Sequence, residues 1–223
     1  MLTAVHSADP KDFRKAVLPL FGGVVVWGCG FSSYTAVMGH LGQDTAAANA
    51  VAAVVRDLLC CLTDGMAAAT VVIVGNELGA GRLARGRLYG NRMGLISLGV
   101  GLITALAILA AAPWVLGHMK LTPVAHGLLR SMFYVLSLYM FGRCVNTIVI
   151  NGVFTAGGDT LFDFYSLATT MWGLAVPLAF LGAFVFHWHP VLVYACTCVD
   201  EVGKLPWVCI HFRRYKWVRD LTR

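Results

Sequence analysis

Charge is scarce in this chain. Only 13% of its 223 residues are Asp, Glu, Lys or Arg, whereas a soluble domain carries about 25%. Hydrophobic residues make up 58%. A soluble core of this size cannot hide that much apolar surface, so the sequence predicts a bilayer as the solvent. No Cys-x-x-Cys pair occurs among the seven cysteines, and no spacing resembles a zinc site. Cys196-Thr-Cys198 is the closest approach and reads as two small helix residues. There is no His-Glu-x-x-His, no nucleophile motif and no aspartate-rich run, so no enzyme chemistry and no bound metal are expected. The net charge of +6 does not point to nucleic acid, because the basic residues sit in short segments between apolar runs. Internal repeats, low-complexity tracts and linkers are absent. No cleaved signal peptide is predicted, since the first apolar run is too long and no small-residue cleavage site closes it.

What is present is long apolar segments. A spanning helix needs about 20 such residues. Six candidates lie at roughly 17–40, 45–78, 88–116, 124–154, 161–186 and 190–212. The expected fold is therefore all-α, a polytopic membrane protein of six transmembrane helices. A lead-in at 1–16 precedes the six-helix body at 17–212, and a basic tail at 213–223 completes the chain. Asp9-Pro10 reads as a cap and first turn for a short basic helix. Asp44 or Thr45 is placed to cap the second helix, and Asp159 or Thr160 the fifth. Pro113 and Pro123 are read as bracketing the third loop, and Gly79-Ala-Gly81 as ending the second helix. Pro177 and Pro206 fall inside spans, where a kink is tolerated. The second segment, at 1.5 Å per residue, runs about 51 Å and must tilt or project beyond a ~30 Å hydrocarbon core.

Lysine and arginine set the orientation. Lys11, Arg14, Lys15, Arg82, Arg85, Arg87, Arg92, Arg213, Arg214, Lys216, Arg219 and Arg223 fall on one side. Lys120 falls on the other, with Arg130 near an interface. This bias predicts cytoplasmic termini in a cytoplasmic membrane. The loop between the fourth and fifth spans carries no Lys or Arg and gives the rule no support.

Several motifs in order resemble the multidrug and toxic compound extrusion (MATE) family. Met38-Gly-His-Leu-Gly42 followed by Ala46-Ala-Ala-Asn49 is similar to the family's first turn. Val74-Gly-Asn-Glu-Leu-Gly-Ala-Gly81 is close to its Val-Gly-x-x-Gly-Ala-Gly pattern. Asn151-Gly-Val-Phe-Thr-Ala-Gly-Gly-Asp-Thr160 and Lys216-Trp217 resemble later segments. The resemblance implies export of a small organic, often cationic, compound by alternating access between two six-helix lobes. It also implies coupling to Na⁺ or H⁺, with no other cofactor. Each lobe of the family carries one Gly-Ala-Gly turn, and this chain has one. The basic tail suggests the C-terminal lobe. The expected partners are the lipid bilayer and a second six-helix lobe, either a missing N-terminal half or a second copy. Two other readings stay open: a lobe of a lipid-linked saccharide flippase, and a transport-inactive fragment or interaction protein.

Ionisable residues at membrane depth usually face a bundle interior or a cavity. In the second span, Asp57 and Asp64 are seven apart on one face, with Arg56 adjacent. They are either a cation or proton site or a structural ion pair. Asp64-Gly65 is also a possible mid-membrane helix break. In the fourth span, Arg143 and Asn146 share a face and Asn151 lies to one side. Arg143 occupies the place near which some relatives carry an acid, and it indicates either an anionic substrate group or an Arg paired with Asp57 or Asp64. These six residues are the candidate substrate and cation cavity. In the sixth span, Asp200 and Glu201 stand four and three residues from Lys204, so that helix is read as neutralising itself. Glu77 with Arg82 and Arg85 forms the expected cytoplasmic charge network. A nucleotide loop is excluded there, because no strand precedes it and no Gly-Lys-Ser/Thr ends it. Gly86, Gly90 and Gly94 form a small-residue packing face. His187 and His189, flanking Trp188, read as interfacial anchors.

Overall fold

The computed structural model describes residues 10–218, and the side chains of 17, 18 and 21–218. Asp9, the side chains of Lys11, Arg14 and Lys15, and Arg219 and Arg223 lie outside what is described. Six helical segments succeed one another: α1 (Pro10–His40), α2 (Gln43–Gly79), α3 (Leu83–His118), α4 (Pro123–Phe154), α5 (Thr160–Val185) and α6 (Pro190–Arg213). The first five contain stretches long and apolar enough to cross a membrane. The sixth is interrupted by Asp200, Glu201 and Lys204. The described residues contain no strand.

α4 is the centre of the bundle and packs against α2, α3 and α6, while α5 bridges α1 and α6. Its position explains its composition. Leu129, Met132, Leu136 and Met140 are fully buried, whereas α1, α2 and α3 expose large apolar residues such as Phe21, Leu58 and Leu95 to the surroundings. An outward apolar belt around a buried central helix is what lipid contact requires.

The buried apolar residues form two main clusters, one toward each end. One gathers Ala48 and Ala52 of α2, Phe133 and Met140 of α4, and Val193 of α6. The other gathers Val74 and Leu78 of α2, Val153 and Phe154 of α4, and Val208 of α6. Between these ends, α2 carries Asp64, α4 carries Arg143 and Asn146, and α6 carries Asp200, Glu201 and Lys204. The polar residues thus occupy the middle of three adjacent helices.

The turns differ from expectation in physically legible ways. Among the described residues, α1 runs without a break from Pro10, so the basic stretch from there on is continuous with the span. α2 starts on Gly42 with no side-chain cap. Asp44 lies in its first turn and accepts a hydrogen bond from Thr122 at 2.5 Å. Thr122 itself caps α4, accepting from Ala125 N–H at 3.1 Å with Pro123 at the first helical position. Asp159 precedes α5 but makes no cap, because its carboxylate is taken by His211. Pro113 lies inside α3, since an exposed proline costs a helix one hydrogen bond and not its remaining turns. Asp64-Gly65 does not break α2, which is continuous. Instead α4 widens into π-helix over Thr147–Phe154, and α5 does so over Ala168–Ala175 and Leu181–Val185 on either side of Pro177. A proline that removes an N–H donor favours such re-registration of the ladder.

Gly81 ends α2 as expected, with φ of 71°. Only glycine takes that value without strain. Gly81→Ala is expected to destabilise the fold by about 1–2 kcal/mol, read as a fall in unfolding midpoint in detergent. The glycine face of α3 is also a packing face. A Cβ on Gly86, Gly90 or Gly94 would lie 2.6 Å from Leu78, 2.2 Å from Trp217 or 3.0 Å from Phe212.

Candidate functional site

Four side chains meet at the middle of α4 and α6. Arg143 and Asn146 are one helical turn apart, as are Glu201 and Lys204, so each pair faces the other helix. Arg143 Nη1 donates to Glu201 Oε1 at 2.8 Å, and Lys204 Nζ lies 3.5 Å from the same oxygen. Asn146 Nδ2 donates to Glu201 Oε2 and to the Glu201 backbone carbonyl, both at 2.8 Å. Glu201 is 2% exposed. A buried carboxylate needs this degree of compensation to stay charged. Neighbouring Asp200 is treated differently: Oδ1 accepts from the Glu201 N–H at 2.8 Å, while buried Oδ2 has no hydrogen-bond partner among the described residues.

This cluster forms a wall of a cavity of about 530 Å³, with Trp27 of α1, Asp64 of α2 and Asp163 of α5 opposite or beside it. Asn151 and Thr147 on the π-helical part of α4 complete that wall. Asn146 Oδ1 and Thr147 Oγ1 are buried without hydrogen-bond partners among the described residues. A second cavity of about 200 Å³ shares Trp27, Asp64 and Arg143 and adds Arg56, Asp57 and Tyr139. A volume of several hundred Å³ with few convergent polar groups is the ordinary size and character of a small-molecule site. Among the described residues, no group of three His, Cys, Asp or Glu side chains is arranged to hold a metal ion.

The six sequence-predicted cavity residues all line one or both of these spaces, but their pairing is different. Arg143 pairs with Glu201, not with Asp57 or Asp64. Among the described residues, Arg56 reaches no carboxylate on another helix. It binds adjacent Asp57 at 2.8 Å and stacks its guanidinium 4.7 Å from the Phe31 ring centre. The sixth span neutralises itself only in part: Lys204 pairs with Glu201 within the helix, but Glu201 is also shared with Arg143 of α4, and among the described residues no ion pair joins Asp200 to Lys204. Asp163 escapes the sequence reading, although it is the one charged residue in its span and that isolation is a readable signal.

A second polar group sits at the end of α2. Arg82 folds back on Glu77, Nε to Oε2 at 2.6 Å and Nη2 to Oε1 at 3.2 Å. That bidentate bond holds the guanidinium pKa above its usual value. Arg85 is exposed and acts on Glu77 through space, not by contact. Nearby, hydrogen bonding from Arg87 and Asn91 lowers the Tyr215 phenol below its ordinary pKa.

The MatE family model matches residues 19–181. No curated protein sequence is a significant match. Among solved structures, one described as the outward-facing conformation of a multidrug resistance MATE family transporter of the MOP superfamily superposes with a TM-score of 0.82 at 18% identity. It covers 94% of this chain and 48% of that one. A MOP superfamily transporter from Pyrococcus furiosus, described as having a binding pocket of reversed polarity, gives a TM-score of 0.82 at 19% identity. It covers 92% of this chain and 46% of that one. The chain thus spans about half the length of the solved chains it resembles.

Proposed function

Because the chain belongs to the MatE family, we propose that it forms one six-helix lobe of a membrane transporter. In this reading it is the C-terminal lobe, and it works against a second lobe supplied by an N-terminal half or by a second copy. The two lobes enclose the cavity and expose it alternately to each side of the cytoplasmic membrane. Export of a small organic compound is coupled to entry of Na⁺ or H⁺. Coupling requires that ion and substrate favour different states of the same machine.

The observation that carries this reading is the charged cluster at mid-bundle, on the wall of a 530 Å³ cavity. Charges at that depth are costly and mark ion or substrate pathways. Their balance also favours an exporter of cationic compounds over a saccharide flippase. Asp64, Asp163 and Glu201 outnumber Arg143 and Lys204 in the lining of that cavity. Asp57 and Asp64 face the cavities from α2 and are the coupling carboxylates in this proposal. The Glu77–Arg82 pair stabilises one state from the cytoplasmic rim, with Arg85 reinforcing it.

The test is dye efflux from vesicles holding this chain with and without an N-terminal lobe, under separate Na⁺ and H⁺ gradients. Efflux that tracks one gradient is the expected result. Absence of efflux under both would overturn transport by this lobe pair. Asp57→Asn and Asp64→Asn are each expected to cut gradient-driven efflux about tenfold or more, the effect of losing roughly 1.4 kcal/mol of coupling. If neither changes it, the α2 carboxylates are structural.

A further inference from the structure

Helix α6 ends at Arg213, and the five described residues beyond it fold back through hydrogen-bonded turns. Tyr215 adopts a φ of 51°, a left-handed value that non-glycine residues take only when held. The reversal turns Trp217 inward, where its ring is fully buried. Two glycines make the seat. A Cβ on Gly90 of α3 would lie 2.2 Å from the Trp217 ring, and one on Gly157 would lie 2.0 Å from the Trp217 carbonyl oxygen. α3 grips the segment from one side. The Arg87 guanidinium lies 3.8 Å from the Tyr215 ring centre, and Asn91 Nδ2 donates to Tyr215 Oη at 3.3 Å. The α4–α5 turn grips the end of α6 from the other side. Asp159 Oδ2 is 2.7 Å from His211 Nε2, and the His211 ring stacks on Phe162 with centres 4.1 Å apart.

The turn held in this way is the end of the π-helical stretch of α4, whose Thr147, Ile150 and Asn151 line the larger cavity. The tail also lies beyond the part of the chain that the MatE model matches. We propose that residues 213–218 are a strap that sets the position of the cavity's π-helical wall by tying the α4–α5 turn to α3. Movement of that wall then requires release of Trp217. The link to transport rests on the reading of the cavity given above, but the strap itself concerns only which segments hold each other.

Hydrogen–deuterium exchange of the full chain in lipid nanodiscs tests it without any transport readout. Gly90→Ala places a methyl where the Trp217 ring sits, and Trp217→Ala removes the ring. Both are expected to speed exchange over 147–157 by about tenfold or more while 45–55 keeps its protection. Trp217→Phe, which retains an aromatic plug, is expected to stay near the wild-type rate. Unchanged exchange over 147–157 together with rapid exchange at 213–218 would overturn the proposal, since the tail would then be a passenger. A variant that loses its fold would show faster exchange over 45–55 as well. In that case Arg87→Gln, which removes only the contact with Tyr215, decides: faster exchange over 147–157 supports the strap, and no change overturns it.

Discussion

Glu201→Gln is expected to destabilise the protein by about 3–5 kcal/mol, the range seen when one partner of a buried charge cluster is removed. The substitution keeps the shape and an acceptor for Asn146 Nδ2. It removes the single anion that both Arg143 and Lys204 contact. Arg143→Gln is the informative comparison. Glu201 then keeps Lys204 and both bonds from Asn146, so the expected loss is smaller, about 1–3 kcal/mol. Chemical unfolding of both variants in the same detergent measures the difference. Equal losses would mean that Glu201 is not the hub of the cluster.

The second large effect concerns space, not charge. Gly157→Ala is expected to cost about 1–3 kcal/mol or more by overpacking. Its new methyl would lie 2.0 Å from a backbone oxygen, at Trp217, and a backbone cannot swing aside. Gly30→Ala is equally crowded by distance alone, with a methyl 2.0 Å from Met171 Sδ. A methionine end has three rotatable bonds and can repack, so this variant is expected to lose well under half as much. Unfolding midpoints of the two variants, measured side by side, check the ranking. A larger loss at Gly30 would show that the tail gives way more easily than the Met171 side chain.

The helix breaks were legible where backbone chemistry alone decides them. Gly81 needs a left-handed turn, and the Gly86/Gly90/Gly94 spacing needs a close neighbour. Both come from the residues themselves, although the sequence does not say that two of the neighbours are Trp217 and Phe212. That the charged candidates Arg56, Asp57, Asp64 and Arg143 line cavities was legible for a similar reason, since a charge at membrane depth has few places to go. Their pairing was not. Lys204 stands at the right spacing to satisfy Glu201 within its own helix, and that local solution hid the cross-helix one. Arg143 lies fifty-eight residues from Glu201, and only the packing of α4 on α6 brings them together. The same limit applies to Asp44 and Asp159. Each is a good helix cap by sequence, and each is drawn off by a distant partner, Thr122 and His211.

The widened turns of α4 carry a consequence for how this chain tolerates changes in length. A π turn closes a hydrogen bond over five residues where an α turn uses four, so it stores an extra residue in the same rise. Deleting one residue within 147–154 would let the ladder revert to α geometry. The helix beyond Phe154 would keep nearly its place, because the residue lost is the one the widened turns had absorbed. Gly157 would stay at the Trp217 carbonyl, while Asn151 and its neighbours inside the stretch would change the face they present. A one-residue deletion here would alter the cavity wall and spare its anchor, so the count of residues in this stretch sets what lines the pocket, not where the next helix begins.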